Sequence, residues 1–300
     1  MQSNKIVTTY KMKDICCIGH ITLDKIITPK KTTYMNGGTS FYFAYAINQL
    51  PQKVSFQLVT STSEEDACAV KRMQKRGIDA INHISSHTVI FENKYGEDMN
   101  NRTQRVLDKA EPFTIEKVKD VDAKVYHLGT LLSDDFPNEV VEYLAGKGKI
   151  SIDVQGYLRE VRNKVVYPID WKDKLRILQC TDILKVNEHE MEVVSGLKDP
   201  REAAKRLASW GVREVIITLG SYGSLIYAGD KFYEIPAYTP KQVVDATGCG
   251  DTYSAGYLYT RALGADYEEA GRFAAAMCTL KLEHHGAFER TIEDVYNIIK

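Results

Sequence analysis

Short apolar, β-branched runs recur along this chain, and stretches of helical spacing separate them. No other feature restricts the fold as strongly. The runs Ile15–Gly19, Ser55–Thr60, Lys124–Leu128, Lys149–Val154, Asp182–Val186 and Glu214–Leu219 read as strands. Between and after them, Thr39–Gln49, Glu64–Arg76, Asn138–Ala145, Glu188–Ser195, Arg201–Trp210, Gly250–Ala262, Tyr267–Glu283 and Ile292–Ile299 read as helices. The helix from Arg201 sets Ala203, Ala204, Leu207 and Ala208 on one face, a stripe that needs a core to cover it. Strands joined by helices pair in parallel, and a parallel sheet is covered on both faces. The expected architecture is therefore α/β, a mostly parallel central sheet flanked by helices. Ser224–Tyr227 and Lys231–Ile235 flank Ala-Gly-Asp and predict a hairpin beside it.

Two stretches break the rhythm: Lys25–Asn36, which runs into Gly37-Gly38, and Thr88–Leu107. They read either as long surface loops or as a small β lid, and the di-glycine hinge favours the lid, with segments at about 25–36 and 88–107. The whole of 1–300 reads as one domain. With 44% apolar and 26% charged residues there is ample core material. A net charge of -1 offers no footprint for nucleic acid or an anionic membrane surface. No apolar run approaches the roughly 20 residues that span a bilayer, and Met1 to Lys13 is polar and mixed, unlike a secretory signal. Six cysteines include no C-x-x-C pair, and no His/Cys cluster has zinc spacing; His284-His285 reads as a helix-end feature. The expectation is a cytoplasmic protein in a reducing compartment, with a small-molecule partner.

The strongest chemical signal is Asp245-Ala-Thr-Gly-Cys-Gly-Asp251-Thr-Tyr-Ser-Ala-Gly256. A small-residue turn runs directly into a helix, so its amides and the helix N-terminus face one concavity suited to an anion. Asp251 falls in the first helical turn beside it. Asp251 by itself would be a helix-capping acid. Asn187-Glu-His-Glu190 opens another helix after an apolar strand, and alone it would be a capping box. Thr218-Leu-Gly220-Ser-Tyr-Gly223 follows a buried strand, and Gly19-His20-Ile-Thr-Leu-Asp24 follows the first one.

Together and in this order, these stretches and Gly37-Gly38 resemble the PfkB (ribokinase-like) family of carbohydrate kinases. The 245–251 stretch looks like its second signature, D-T-T/A-G-A/C-G-D, with Ala246 where Thr is frequent. The resemblance spans the chain from about Asp14 to the last helix and implies an ATP-dependent kinase of a small sugar or polyol. It implies that Asp251 is the general base and that Gly248, Cys249 and Gly250 offer amides to the transferring phosphoryl group. Asn187 and Glu190 would organise Mg²⁺ through water. Thr218, Gly220, Gly223 and the 284–287 loop would lie beside the purine, and Asp24, Gly37, Gly38 and His20 beside the acceptor. K⁺ is used by many relatives, held by backbone carbonyls near Asp245 and Thr247. A lid with one apolar face also fits a homodimer.

Several residues keep two readings. Lys185 is either a phosphate contact or a solvent lysine at a strand end. Asp153 and Arg159 are either functional or incidental. Arg102 and Arg105 are either a phosphate clamp in the lid or a solvated charged strand. Cys249 is either a reactive thiol at a helix N-terminus or one small residue among several that would serve. The main departure from the family is Tyr42, which stands where G-G-x-x-x-N-x-A places an Asn near the acceptor. Together with the Thr88–Arg105 segment it points towards the inositol- or nucleoside-kinase side. A nucleoside kinase and a non-catalytic ribokinase-like sensor or scaffold are the alternatives.

Overall fold

The computed structural model describes residues 12–96 and 102–300. The first eleven residues, residues 97–101 of the expected lid and the side chain of Arg102 lie outside the described residues. In chain order the elements are β1 (Lys13–Ile18), β2 (Thr22–Ile27), β3 (Thr32–Gly37), α1 (Thr39–Asn48), β4 (Phe56–Thr62), α2 (Cys68–Lys75), β5 (Ala80–Ile84), β6 (Val89–Tyr95), β7 (Arg102–Asp108), α3 (Ile115–Val118), β8 (Ala123–Gly129), α4 (Asn138–Ala145), β9 (Lys149–Asp153), β10 (Arg159–Arg162), β11 (Val165–Pro168), α5 (Lys174–Leu178), β12 (Ile183–Asn187), α6 (Glu188–Ser195), α7 (Pro200–Ser209), β13 (Glu214–Thr218), β14 (Ser224–Ala228), β15 (Lys231–Ile235), α8 (Cys249–Ala262), α9 (Tyr267–Leu282) and α10 (Ile292–Ile299).

Among the described residues the strands form two sheets. The larger has the order β15-β14-β13-β12-β9-β8-β1-β4-β5. Its strands from β5 to β13 pair in parallel, and the β14–β15 hairpin adds an antiparallel edge. Period-2 alternation splits each strand between two cores. In β1, Ile15 and Cys17 join the core with Phe43 of α1, Tyr257 of α8 and Met277 of α9. Cys16 and Ile18 join the opposite core with Leu144 of α4, Val194 of α6 and Leu207 of α7. The apolar stripe of α7 is buried as expected, with Ala203, Ala204 and Leu207 fully enclosed.

The second sheet has the order β10-β11-β7-β6-β2-β3. It contains both stretches that broke the strand–helix rhythm. It also contains β10 and β11, which the sequence does not announce, because Arg159-Glu-Val-Arg162 reads as a charged loop. Asn163 and Lys164, both left-handed with φ of 50° and 64°, make the two-residue turn between them. The sequence does not announce β5 either, since Asn82 and His83 interrupt its apolar run. The helix expected from Glu64 begins instead at Cys68, after a turn.

Candidate active site

The C-terminal ends of the parallel strands converge on one place, as ligand sites of open α/β sheets do. β9 ends on Asp153, β12 on Asn187 and β13 on Thr218. Lys185 and Asp153 are register partners across β12 and β9, so their side chains share a face. Lys185 Nζ lies 2.9 Å from Asp153 Oδ2, both side chains being almost wholly buried. This is no solvent lysine. Burial alone would lower the Lys185 ammonium, but Asp153, Glu190 and Asp251 outweigh that and hold it above its usual value.

Asp251 is buried in the first turn of α8. Burial pushes its carboxyl well above the ordinary range, and Asp153 and Glu190 push the same way. Lys185 and Arg159 oppose them. Glu190 is raised for related reasons, burial first and Asp153 second. Asp153, Glu190, Asp251 and Lys185 are thus buried in one charged cluster, and the half-buried Arg159 acts on it electrostatically.

The turn before α8 explains its glycines. Gly248 caps the helix with φ of 78°, a left-handed conformation that favours glycine. A Cβ there would lie 2.4 Å from Cγ and Cδ1 of Tyr42, so the Tyr42 ring on α1 backs the turn directly. A Cβ on Gly250 would lie 3.0 Å from Lys185 Nζ, which places that ammonium against the turn. Burial, with Asp245 and Asp251 behind it, raises the half-buried Cys249 thiol to about 11, against the pull of Lys281, which favours the reading as a small residue in the turn over a reactive thiol. Cys278 of α9 packs beside it, its Sγ donating to the Cys249 carbonyl at 3.0 Å.

On the other side of Tyr42, Asp24 accepts a 2.7 Å hydrogen bond from Thr22 Oγ1. Gly37 approaches so closely that a Cβ would sit 2.6 Å from Asp24 Oδ2. Gly38 has φ of 95° and leads into α1, and a Cβ on it would lie 2.6 Å from the His20 carbonyl oxygen. Burial raises the Tyr42 phenol, and Asp24, Asp245 and Asp251 push the same way. His20 requires a correction. Its ring has no exposed surface and stacks on Phe113 at 4.5 Å, with Nε2 3.8 Å from the buried Asp135. What His20 contributes beside Gly38 is its carbonyl, which accepts from Ser40 Oγ at 2.9 Å. The sequence cannot distinguish a histidine turned inward from one turned outward at the end of a strand.

Beyond the turn lies a cavity of about 740 Å³. Asn187, Thr218, Gly220 and Gly223 line one side and Tyr238, Val243, Cys278 and Leu282 the other. Residues 284–287, expected beside the purine, do not line it; Gly286 N donates instead to Asp245 Oδ2 at 3.4 Å. Asn187 and Glu190 form a reciprocal capping box on α6, both bonds 2.9 Å. The capping and cavity roles coexist, since Asn187 is both cap and lining. Arg105 lies 3.6 Å from Glu92, which Lys25 also engages at 2.8 Å.

The profile of the pfkB family carbohydrate kinases matches residues 12–293. The chain is a pfkB-family kinase. As such it is a phosphotransferase with an alcohol group as acceptor. This pfkB kinase is 26% identical to the cytidine kinase of Thermococcus kodakarensis, over 94% of its own length and 100% of that protein's. It is 25% identical to the nucleoside kinase of Methanocaldococcus jannaschii, over 92% of each chain. Its fold matches that of a pyrophosphate-dependent kinase of the ribokinase family solved with a pyrophosphate analogue and myo-inositol. That match has a TM-score of 0.84 and 27% identity, and covers 95% of this chain and 100% of the other.

Proposed function

We propose that this kinase transfers the γ-phosphate of ATP to a hydroxyl of a small sugar or polyol, with Asp251 as general base. The observation that carries the reading is the position of Asp251. It lies at the N-terminus of α8, with Lys185 and Arg159 near enough to act on its charge. On one side is a largely apolar cavity of nucleoside size. On the other are Asp24 and the Gly37-Gly38 approach. Asp24, Gly37 and Gly38 hold the acceptor, and Thr218, Gly220 and Gly223 border the base of the nucleotide. Asp251 takes the proton of the attacking hydroxyl, a contribution typically worth ~10²–10⁴-fold. The Gly248–Gly250 amides and Lys185 stabilise the charge spread over the phosphoryl oxygens.

Among the described residues no group of three or more His, Cys, Asp or Glu side chains is arranged to hold a metal. Mg²⁺ would arrive with the phosphates and keep most of its waters, and Asn187 and Glu190 would order those waters. When bound, Mg²⁺ neutralises phosphate charge. Movement of the second sheet over the acceptor would exclude water, the competing nucleophile. A homodimer through that sheet is supported by apolar side chains exposed on it, Tyr34, Val165 and Tyr167, and sedimentation tests it. No described helix is long and apolar enough to cross a membrane, and a cytoplasmic location belongs to the same reading.

Two further readings have specific support. Pyrophosphate as donor is favoured by the likeness to a pyrophosphate-dependent kinase. A nucleoside as acceptor is favoured by the cytidine and nucleoside kinases among the relatives. A grid of donors (ATP, pyrophosphate) against acceptors (ribose, fructose, myo-inositol, cytidine, adenosine) separates all three. Turnover with ATP and a sugar or polyol is the expected result. Acceptor binding without transfer from either donor would point to a sensor and overturn the catalytic reading.

A further inference from the structure

Behind the phosphoryl turn sits a cation that the reaction as described does not use. Lys281, in the last turn of α9, has a side chain with no exposed surface. Its ammonium donates to the Asp245 carbonyl at 3.0 Å, the His284 carbonyl at 3.2 Å and Asp245 Oδ2 at 3.5 Å. An ammonium has three donors and no acceptor, and each of these contacts is an oxygen. Asp245 is the first residue of the turn. Its carboxylate also accepts from Thr247 N at 2.9 Å and from Gly286 N. Burial would raise that carboxyl, but the Thr247 bonds, Lys281 and Gly286 hold it below the usual range. Burying a lysine fully is costly unless it is paired and bonded. The C-terminal end of α9, where backbone carbonyls collect, further favours a positive charge.

The K⁺ expected beside Asp245 and Thr247 does not fit this arrangement. The Asp245 carbonyl that would hold it already accepts from an ammonium, and a second cation there would meet a like charge. We propose that the Lys281 ammonium is the resident monovalent cation of the phosphoryl turn, joining its first residue to the 284–286 segment, so that this kinase does not need K⁺. The inference rests on the turn being the phosphoryl site only where activity is read out, and its test includes a readout that needs no turnover.

Thermal unfolding and kinase activity of the wild type are measured in KCl, NH₄Cl, NaCl and tetramethylammonium chloride at constant ionic strength. Both should agree within about twofold in rate and about 1 °C in Tm across the four salts. Lys281→Ala should lower Tm by on the order of 10 °C and kcat by about 10²-fold. KCl, NH₄Cl or methylammonium chloride should restore part of both losses, and tetramethylammonium, too large for the vacated space, should not. Wild-type protein that KCl selectively stabilises or activates several-fold would overturn the proposal, whether or not the variant folds. So would a folded Lys281→Ala protein that no cation rescues. An inactive wild type would count against the kinase reading alone, because the Tm arm still reports on the cation.

Discussion

A carboxylate that takes a proton from an alcohol must be both ionised and close. Burial arranges the second while working against the first. Asp251 is held in this balance, raised by burial and neighbouring acids and lowered by Lys185 and Arg159. Asp251→Asn should cut kcat by about 10²–10⁴-fold and leave ADP affinity within a few-fold by calorimetry. If Asp251 is the base, as proposed, it works ionised, so activity is present above its raised pKa and lost as pH falls through it. The acid limb of kcat/KM should therefore lie above the ordinary carboxylate range. In Lys185→Met, which removes an opposing positive charge, the limb should move to higher pH; a limb that stays put or moves lower would break the link between them. Gly248→Ala should be more damaging than its size suggests, because its Cβ meets the Tyr42 ring and φ is positive. A loss of about 2 kcal/mol in urea unfolding, with a larger loss of rate, is expected. At this scale the order and spacing in the sequence single out acids and glycines that the structure brings to one place, Asp153, Glu190 and Asp251 beside Gly248 and Gly250. The sequence says nothing of Lys281, whose burial depends on which face of α9 meets the turn, and it leaves Cys249 ambiguous until packing against Cys278 is seen.

Helix α6 illustrates how one element serves two ends. Its capping box uses Asn187 and Glu190 to satisfy backbone amides at the helix start, and Asn187 also faces the cavity. The two roles separate by substitution. Asn187→Ala should cost about 1 kcal/mol of stability through the lost cap. Asn187→Asp keeps a good cap, so Tm should barely change, while the added negative charge beside Glu190 should attract the cation and lower the Mg²⁺ concentration needed for half-maximal rate. A Mg²⁺ dependence unchanged in both variants, with stability lost only in Asn187→Ala, would show that capping is all the residue does. Elements buried on both faces were legible from sequence. Those on the second sheet were legible only in part, because β10 is charged and its hairpin is set by the left-handed pair Asn163-Lys164 rather than by glycine.

Across the whole molecule, the buried histidines tie stability to pH. His127 lies between β1 and β9 neighbours, stacked on Phe43 and bonded to Ser151 Oγ at 3.0 Å. Burial lowers it from 6.5 to about 4. Above 6.5 neither folded nor unfolded chain protonates it. Below that the unfolded chain takes a proton that the native state refuses, so stability falls until the native pKa is reached. Between pH 7 and 5 this single residue should remove about 2 kcal/mol. His20, also lowered to about 4 by burial, acts in the same direction. Asp135, raised to about 7 by burial, acts oppositely, favouring the native state below that value. Urea unfolding of His127→Asn should show a correspondingly smaller loss between pH 7 and 5 than the wild type.

One stretch of backbone joins the two sheets at the proposed reacting centre. β9 delivers Asp153 to the Lys185 pair, a single 3₁₀ turn follows over Val154–Leu158, and β10 opens on Arg159 in the second sheet. Tyr157 in that turn is clamped face to face on Trp171 at 4.1 Å. For protein engineering this makes residues 153–168 an indivisible cassette. Chimeras that graft a relative's substrate cover at the strands alone would splice foreign sequence into the charge network that tunes the base, and would trade selectivity for turnover. Grafts cut upstream of Asp153 and downstream of Pro168 would carry the wiring along with the cover.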